Sequence, residues 1–324
     1  MLLLRSEKIC WYSWDRAPSF SSSSCLQAYR ENFDPHAVIL TECRLMAYFG
    51  VEPILVADVV LWPARSIIKQ SYEARERKDD SSLPFHLGYG NLNGDGFGIG
   101  WFPRASSLCV DANPCVFTSV TPAWNNENLN RLATKLESGL IFAHVRAAYP
   151  GMPVSEQNCH PFQWGRYLFM HNGVVAGFMR LRRALLARFS DAVYNTVQSF
   201  HSDSAVSFAL FLNCLPDLTS VHPPKVLLRA LEDAIATIRE VQAEVGITAT
   251  SLLNFVVSDG ATMVATRYVS APGEEPASLY YAEGGGFDRG GASCEAGSSG
   301  MPVPAGVQAP RPAPRACRED GRAA

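Results

Sequence analysis

Five short stretches of the chain carry side chains that could perform chemistry together. A cysteine thiolate is a strong nucleophile, and an Asn-Gly pair offers side-chain and backbone N–H donors for a developing oxyanion. A planar arginine can bind a carboxylate through two parallel hydrogen bonds, and an aspartate can bind an ammonium group. Each stretch is a weak signal alone, and only the five together indicate a function. They are residues 43–50, 93–101, 142–146, 158–162 with 170–173, and 202–204.

Alternating glycines mark the second of these stretches, at positions 94, 96, 98 and 100. Their spacing is not that of a dinucleotide-binding loop, and no Gly-Lys-Ser or Gly-Lys-Thr sequence follows for a nucleotide-binding loop. Alternating glycine in an apolar run indicates that the backbone of another layer approaches closely. We therefore expect close packing at this stretch and no phosphate binding.

The secondary structure that must position these residues follows from hydrophobic patterning. Short apolar or alternating runs bounded by Gly, Pro or Asn predict strands at 43–49, 97–102, 140–145, 166–170, 252–257, 262–268 and 278–281. The Ser-Asp-Gly sequence at 258–260 predicts a hairpin. Helical spacing predicts helices at 178–189, at 205–212 with Ser202 or Asp203 as its cap, and from Pro224 to Gly246. This order favours a layered α/β or α+β domain.

Composition limits the class of protein. The 324 residues are 47% hydrophobic and 18% charged, with a net charge of −3, which is typical of a globular protein with a sizeable core. No cationic excess points to nucleic acid, and no apolar run approaches the roughly 20 residues that span a membrane. Nine cysteines without a Cys-x-x-Cys pair, and no convincing secretory or transit signal, predict a cytoplasmic protein with reduced thiols.

Composition also divides the chain into three parts. Residues 1–42 contain a serine run and no sustained periodicity, which predicts an irregular extension. Residues 284–324 are rich in Gly, Ala and Pro and poor in large apolar residues, which predicts a disordered tail. The predicted elements fall in residues 43–283, so we expect one compact domain there.

Taken in this order, the stretches resemble the class II glutamine amidotransferases, N-terminal-nucleophile hydrolases that cleave a γ-glutamyl amide. The motifs include Cys-Arg-Leu at 43–45, Asp-Gly-Phe-Gly at 95–98, Ala-His-Val-Arg-Ala at 143–147, Asn-Cys-His-Pro-Phe at 158–162 and Met-His-Asn-Gly at 170–173. They look most like the amidotransferase-type subunit of the fungal glutathione-degrading complex and the γ-glutamyl hydrolase of ergothioneine synthesis. The resemblance covers about residues 43–282. It implies an α+β fold, a four-layer α/β/β/α N-terminal-nucleophile hydrolase sandwich.

The resemblance implies a role for five residues. Cys43 matches the nucleophile that forms a thioester with the γ-glutamyl group, and Asn172 and Gly173 match the pair that holds the oxyanion. Arg146 matches the group that binds the substrate α-carboxylate, and Asp203 matches the group that binds its α-ammonium. Structural alternatives exist: a buried strand cysteine, a turn at Asn-Gly after the preceding strand, and a helix-capping aspartate.

The other reactive residue types in the motifs are expected to be structural. His144, His160 and His171 lie in motifs that bind no metal in the resembled family, so we expect them to support the strands that carry the arginine and the asparagine. Two cysteines, Cys159 and Cys214, are expected to pack in the interior. Neither a metal nor a cofactor is expected.

The main departure from the family concerns the residue before the nucleophile. The family's cysteine is residue one of the mature chain, and its own α-amine removes the thiol proton. Here Glu42 precedes Cys43, so the cysteine nitrogen is an amide. Three explanations remain open: cleavage of a propeptide after Glu42, a true start that differs from this translation, or an inactive protein. We favour an incorrect start.

A second departure lies at the other end of the chain. The family continues with strands that complete its sheets, whereas this chain becomes rich in Gly, Ala and Pro from residue 284. We therefore expect the fold to lack some C-terminal strands and to expose unpaired backbone where they would lie.

The sequence thus predicts a γ-glutamyl amide hydrolase that acts through a cysteinyl thioester, provided that Cys43 becomes the N-terminus. The expected substrate is glutathione or a related γ-glutamyl compound, or glutamine with release of ammonia, since these share the glutamyl head. A peptidase-type or synthase subunit is the partner that such roles imply. The alternative is a catalytically inactive, amidotransferase-like partner subunit in which Cys43 stays blocked.

Overall fold

The computed structural model describes residues 2–4, 9–12, 43–73, 92–103, 111, 113–148 and 152–283. Eleven strands lie in these segments: β1 (Leu2–Leu4), β2 (Ile9–Tyr12), β3 (Arg44–Leu55), β4 (Phe97–Trp101), β5 (Cys115–Ser119), β6 (Glu137–Val145), β7 (Phe162–Trp164), β8 (Tyr167–Val174), β9 (Leu252–Ser258), β10 (Met263–Ala265) and β11 (Tyr280–Glu283).

Seven α-helices lie in the same segments, together with two short 3₁₀ turns at Ala123–Asn125 and Glu156–Asn158. No helix in the described part of the chain is both long and apolar enough to cross a membrane. The helices are α1 (Val56–Val60), α2 (Ile67–Tyr72), α3 (Glu127–Ala133), α4 (Phe178–Leu186), α5 (Asp191–Tyr194), α6 (Asp203–Asn213) and α7 (Pro224–Val245).

The strands form two antiparallel sheets. One has six strands in the order β11-β2-β3-β6-β4-β5, and the other has five in the order β1-β10-β9-β8-β7. In the first sheet Arg44 lies opposite Val145, and in the second Asn172 lies opposite Asn254. Antiparallel sheets with separate helical segments confirm the predicted α+β class.

Three clusters of buried side chains surround the sheets, because successive strand residues point to opposite faces. Leu45 of β3 shares a core with Leu168 and Met170 of β8. The neighbouring Met46 packs instead with residues of α1, α2 and α3, and Phe169 of β8 packs with residues of α4, α6 and α7. Both faces of the central strands are therefore buried, which explains their nearly continuous apolar sequences.

The predicted hairpin is present, as are the helices predicted at 205–212 and from Pro224 to Gly246. In the hairpin turn, Asp259 Oδ1 accepts a hydrogen bond from the Thr262 N–H at 2.8 Å. Helix α7 begins at Pro224 and ends before Gly246, which has a φ of 73°. Helix α6 is buried along almost its whole length, as its apolar sequence predicts.

The predicted ends of several elements were wrong, and hydrogen bonds explain two of them. The helix predicted over 178–189 ends at Leu186, because Ser190 begins the next helix by accepting the Val193 N–H. The strand predicted over 262–268 ends at Ala265. Beyond it, the Thr266 hydroxyl takes the place of backbone groups: Oγ1 accepts the Phe255 N–H at 3.0 Å and donates to the Leu253 carbonyl at 2.9 Å.

The prediction of an irregular extension over residues 1–42 was wrong in two segments. β1 pairs with β10 at the edge of the five-stranded sheet, with Leu2 opposite Ala265. β2 lies between β3 and β11 in the six-stranded sheet. Hydrophobic patterning did not predict either strand, because three or four residues are too few to show a periodic pattern. Their extended conformation depends on the strands with which they pair. The predicted tail over 284–324 lies outside the described residues.

The glycines of β4 allow another layer to approach closely, as predicted. A Cβ atom on Gly98 would lie 2.2 Å from the His160 carbonyl oxygen, and one on Gly100 would lie 2.7 Å from Pro161 Cγ. The segment that precedes β7 therefore packs directly on the backbone of β4.

Candidate active site

Cys43 is positioned by the start of β3. The next residue, Arg44, lies opposite Val145 of β6, so the chain that leaves β6 passes beside the cysteine. The Ala147 N–H donates to Cys43 Sγ at 3.4 Å, and the Ala147 carbonyl oxygen lies 3.7 Å from the same sulfur. Cys43 is half-buried.

The charge state of Cys43 results from opposing effects. Burial raises the pKa of the thiol above its ordinary value, and the nearby charge of Asp203 adds to this. The hydrogen bond from Ala147 and the positive charges of Arg146 and Arg44 lower the pKa in part, without overcoming burial. The thiol is therefore protonated near neutral pH, and a base must remove its proton before it can attack.

Arg146 follows the end of β6 and has a buried guanidinium group, 5% exposed. Its Nη1 and Nη2 atoms both lie 3.4 Å from the Pro153 carbonyl oxygen, and Nη1 lies 3.5 Å from that of Asp95. The ion pairs found among the described residues join other side chains, so Arg146 has no carboxylate partner in this part of the chain. A buried cation without an anionic partner is unfavourable, which suits this position to a ligand carboxylate.

The surroundings of Arg146 are held by further hydrogen bonds. The Asp95 N–H donates to the Arg146 carbonyl oxygen at 3.1 Å, and Asp95 Oδ2 accepts the Ala148 N–H at 2.8 Å. Asn158 Nδ2 donates to the Pro153 carbonyl oxygen at 3.0 Å. The arginine thus lies in a fixed frame of backbone acceptors.

Asn172 and Gly173 lie inside β8, so the alternative interpretation of this pair as a turn after the strand is wrong. Strand pairing continues to Val174, with Asn172 opposite Asn254. Gly173 has a φ of 149°, and a Cβ atom there would lie 1.9 Å from the Leu252 carbonyl oxygen. The close approach of β9 therefore requires glycine at this position.

The side-chain amide of Asn172 is available to a ligand. The residue is buried, and its Oδ1 atom has no hydrogen-bond partner among the described residues. None of the side-chain hydrogen bonds found among the described residues involves its Nδ2 group. The amide can therefore donate to an incoming oxyanion without giving up another hydrogen bond.

Asp203 is the first residue of α6, and the capping role proposed for it belongs to Ser202. Ser202 Oγ accepts the Ala205 N–H at 3.2 Å. Asp203 Oδ2 instead accepts the Val175 N–H at 2.9 Å, and Oδ1 accepts the Ser204 N–H at 2.8 Å. The bond from Val175 ties the carboxylate to the end of β8.

The structure brings the predicted site residues to one region. Arg146 and Asp203 both lie near enough to Cys43 for their charges to change its pKa, which Arg146 lowers and Asp203 raises. Asn172 and Gly173 immediately precede the segment that binds Asp203. The two sheets and α6 thus each contribute to a single cluster.

Three buried histidines lie beside this cluster, as the motifs predict. The rings of His144 and His160 stack with centroids 4.1 Å apart, and His144 Nε2 lies 3.2 Å from the His171 carbonyl oxygen. Burial lowers the pKa of His144 to about 3, and it also lowers the pKa of His160 and of His171. All three rings are therefore neutral near pH 7. Within the described segments, no group of three or more metal-ligating side chains is gathered.

Two residues of the cluster were not predicted. Arg44 is buried and lowers the pKa of Cys43, and Ser204 lies between His171 and Asp203. The sequence did offer a signal for each residue. Arg44 is a charged residue inside an apolar strand, and Ser204 is a serine beside an aspartate in an apolar helix. Cys159 is buried and Cys214 is half-buried against the helical core, which fits their predicted packing role. Burial raises the pKa of both thiols to about 11.

Sequence comparison identifies the class of protein. The family model for class II glutamine amidotransferases matches residues 84–271, more than half of the chain. The protein belongs to this family, an amidotransferase and amidohydrolase class, as the motifs predict.

Individual proteins of known sequence or structure are also similar to this chain. The probable glutamine amidotransferase DUG3 of Saccharomyces cerevisiae is 38% identical over 256 residues, which are 76% of this chain and 69% of the yeast protein. The γ-glutamyl-hercynylcysteine sulfoxide hydrolase of Mycolicibacterium smegmatis is 30% identical over 227 residues, which are 70% of this chain and 79% of that protein. A solved structure, a glutamine aminotransferase class-II domain protein from Silicibacter pomeroyi, matches with a TM-score of 0.48 and 27% identity, over 71% of this chain and 78% of that one.

Proposed function

We propose that the protein hydrolyses a γ-glutamyl amide through a thioester on Cys43. The observation that carries this proposal is the buried Arg146 guanidinium, which has no carboxylate partner among the described residues and lies close to the Cys43 thiol. The planar group suits the α-carboxylate of a glutamyl head, which it can bind through two parallel hydrogen bonds.

The proposed mechanism assigns one step to each residue. Arg146 and Asp203 bind the α-carboxylate and the α-ammonium group, which holds the γ-carbonyl carbon at Cys43 Sγ. The sulfur attacks this carbon, and the Asn172 amide and the Gly173 N–H donate to the oxyanion. The carbon–nitrogen bond then breaks, and the amine leaves with a proton. Water hydrolyses the thioester, which releases glutamate and restores the thiol.

The base for the first step is the α-amine of an N-terminal Cys43. Because burial raises the pKa of the thiol, the sulfur needs a base beside it. A chain that still carries Glu42 offers an amide nitrogen at that position, which cannot accept a proton. The proposed activity therefore requires a mature chain that begins at Cys43, by a different translation start or by cleavage.

Glutathione or a related γ-glutamyl thiol compound is the proposed substrate. The resemblance of the motifs to the glutathione-degrading and ergothioneine-pathway enzymes supports this, as does the sulfur-containing γ-glutamyl compound in the name of the mycobacterial relative. Glutamine shares the same glutamyl head, with release of ammonia to a synthase partner. For glutathione the implied partner is a peptidase-type subunit acting on cysteinylglycine.

We also propose the four-layer α/β/β/α arrangement of the N-terminal-nucleophile hydrolases. The three buried clusters support it, because helices pack on the outer face of each sheet and a third core lies between the sheets. The absence of some of the family's C-terminal strands remains part of this proposal, and β1 and β2 extend the domain predicted at 43–283.

The function is tested on protein purified from its source, with intact mass and N-terminal sequencing. We expect a chain beginning at Cys43 that cleaves glutathione and loses all activity as Cys43→Ala. Cys214→Ala, which alters a half-buried thiol outside the cluster, is the matched control. Assaying glutamine and glutathione side by side decides between the substrates. Hydrolysis that survives Cys43→Ala would exclude the thioester mechanism.

The second candidate is a non-catalytic partner subunit with the same scaffold. It is favoured by β1 and β2, which place residues ahead of Cys43 in both sheets of the fold. A purified chain that starts at residue 1 and cleaves no γ-glutamyl compound would support this alternative and exclude the enzyme.

A further inference from the structure

Ser204 joins the two sides of the candidate site through its hydroxyl group. Its Oγ atom lies 2.9 Å from His171 Nδ1 and 3.3 Å from Asp203 Oδ1, and all three residues are buried. His171 immediately precedes Asn172 on β8, whereas Asp203 begins α6. A hydroxyl group has one hydrogen to donate, so its direction decides which neighbour it serves.

The second ring nitrogen of His171 determines that direction. Nε2 lies 3.0 Å from the Leu252 carbonyl oxygen, which can only accept, so Nε2 carries the proton of the neutral ring. Nδ1 is then an acceptor, and the Ser204 hydroxyl donates to it. Asp203 Oδ1 keeps the Ser204 N–H as its donor at 2.8 Å and retains a lone pair for another.

The charge of His171 depends on groups from several elements. Burial lowers its pKa, while Asp203 of α6 and the hydrogen bond to Leu252 oppose this without overcoming it. His144 of β6 and His160, which precedes β7, also have a pKa lowered by burial, so neither adds positive charge near pH 7. His171 is therefore neutral, as its acceptance of the Ser204 hydrogen requires.

We propose that Ser204 is a positioning residue for substrate capture: by donating to His171, it leaves the Asp203 carboxylate to receive the α-ammonium group. This inference rests on the proposed function, in which Asp203 binds that group. Without the hydroxyl, His171 Nδ1 loses its donor, and the negative charge of Asp203 favours a proton on the ring. To the extent that the ring takes up this proton, it competes with the substrate ammonium for the carboxylate.

The test compares two ligands that differ in the ammonium group alone, so it does not depend on turnover. Calorimetry measures the binding of L-glutamate and of glutarate to the mature protein near pH 7. In Ser204→Ala we expect glutamate binding to weaken about fivefold and glutarate binding to change less than about twofold, the effect of one hydrogen bond. Ser204→Thr, which keeps a hydroxyl, should restore glutamate binding. Ser207→Ala, a buried serine of the same helix, should leave it unchanged.

Equal weakening of both ligands in Ser204→Ala, or no change in either, would overturn the proposal. If the wild-type chain binds no glutamate, the proposed function fails, and the positioning bond is then read from the nitrogen-15 resonances of the His171 ring. An unprotonated Nδ1 whose resonance shifts in Ser204→Ala supports the bond. A protonated Nδ1 in the wild-type chain excludes it.

Discussion

Arg146 is buried, and the acceptors near its guanidinium group among the described residues are carbonyl oxygens and one thioether sulfur, all at 3.4 Å or more. A group in this position gains most from a ligand that supplies two negatively charged oxygens in one plane. Its neighbour across the site, Asp203, has the opposite charge and its own backbone donors. Such a pair suits a zwitterionic head group. Two predictions about single side chains follow, one for substrate binding by Arg146 and one for the charge of the Cys43 thiol beside it.

Arg146→Lys should raise KM for the γ-glutamyl substrate about tenfold, with a smaller effect on kcat. Lysine keeps the charge but offers a point donor in place of two parallel N–H groups. Steady-state kinetics on the mature chain measures both constants. The matched control is Arg188→Lys, which alters an exposed ion pair with Glu244. An unchanged KM for Arg146→Lys would show that this residue does not hold the carboxylate.

Alkylation of Cys43 should report its charge. Because burial raises its pKa, the rate of reaction with iodoacetamide should rise with pH to a midpoint above 9.0. Arg146→Gln should move the midpoint higher still, since the guanidinium lowers the pKa of the thiol. Peptide mapping at Cys43 gives the rates, and N-acetylcysteine serves as the reference thiol. A midpoint below that of the reference would contradict the prediction.

Strand β8 carries both the proposed oxyanion pair and His171, which contacts Ser204, and β9 lies close to it at Gly173. Gly173→Ala should therefore destabilise the fold by roughly 2–4 kcal/mol, because a Cβ atom would meet the Leu252 carbonyl and the two strands would have to separate. Urea unfolding measures the free energy of unfolding, and the assay should show lost activity.

Gly246→Ala is the matched control for backbone conformation. This glycine also has positive φ, 73°, but has open space where a Cβ atom would lie. Gly246→Ala should lower the free energy of unfolding by about 1 kcal/mol, which is the strain of an alanine in the left-handed conformation alone. Equal losses for the two variants would mean that the contact with β9 contributes nothing.

The sequence allowed the site to be predicted where the chemistry is local in the chain. Arg146, Asn172 and Gly173 lie in short motifs, and the boundaries of α7 follow from Pro224 and Gly246. The bond between His171 and Leu252 joins residues 81 positions apart, so no local pattern contains it. The end of β10 was mispredicted for the same reason, because it depends on which backbone groups a distant threonine hydroxyl replaces.

At the scale of the molecule, burial lowers the pKa of His144, His160 and His171, which makes its stability depend on pH. The unfolded chain binds protons on these rings as the pH falls below about 6.5, whereas the folded protein does not. For His144 this difference persists down to about pH 3. The free energy of unfolding should therefore fall with the pH across this window, by up to about 1.4 kcal/mol per pH unit for each ring.

His160→Phe should make this pH dependence weaker by about one proton. Both ring nitrogens of His160 lack partners among the described residues, so a phenyl ring loses no hydrogen bond to them, and stability near neutral pH should change little. Urea unfolding followed by circular dichroism between about pH 7.5 and 5 measures the slope. An identical slope for wild type and His160→Phe would contradict the prediction.

The pairing of β1 and β2 has a consequence for how a mature enzyme would be assembled. β11 is joined to the six-stranded sheet by β2, and β10 has β1 as its outer neighbour. A cut between Glu42 and Cys43 would therefore leave residues 1–42 bound by backbone hydrogen bonds to both sheets. The product would be a noncovalent two-chain protein, with a single mass under native conditions and two masses after denaturation. Its smaller chain would be a structural subunit, and removing it would uncover open edges on β3, β10 and β11.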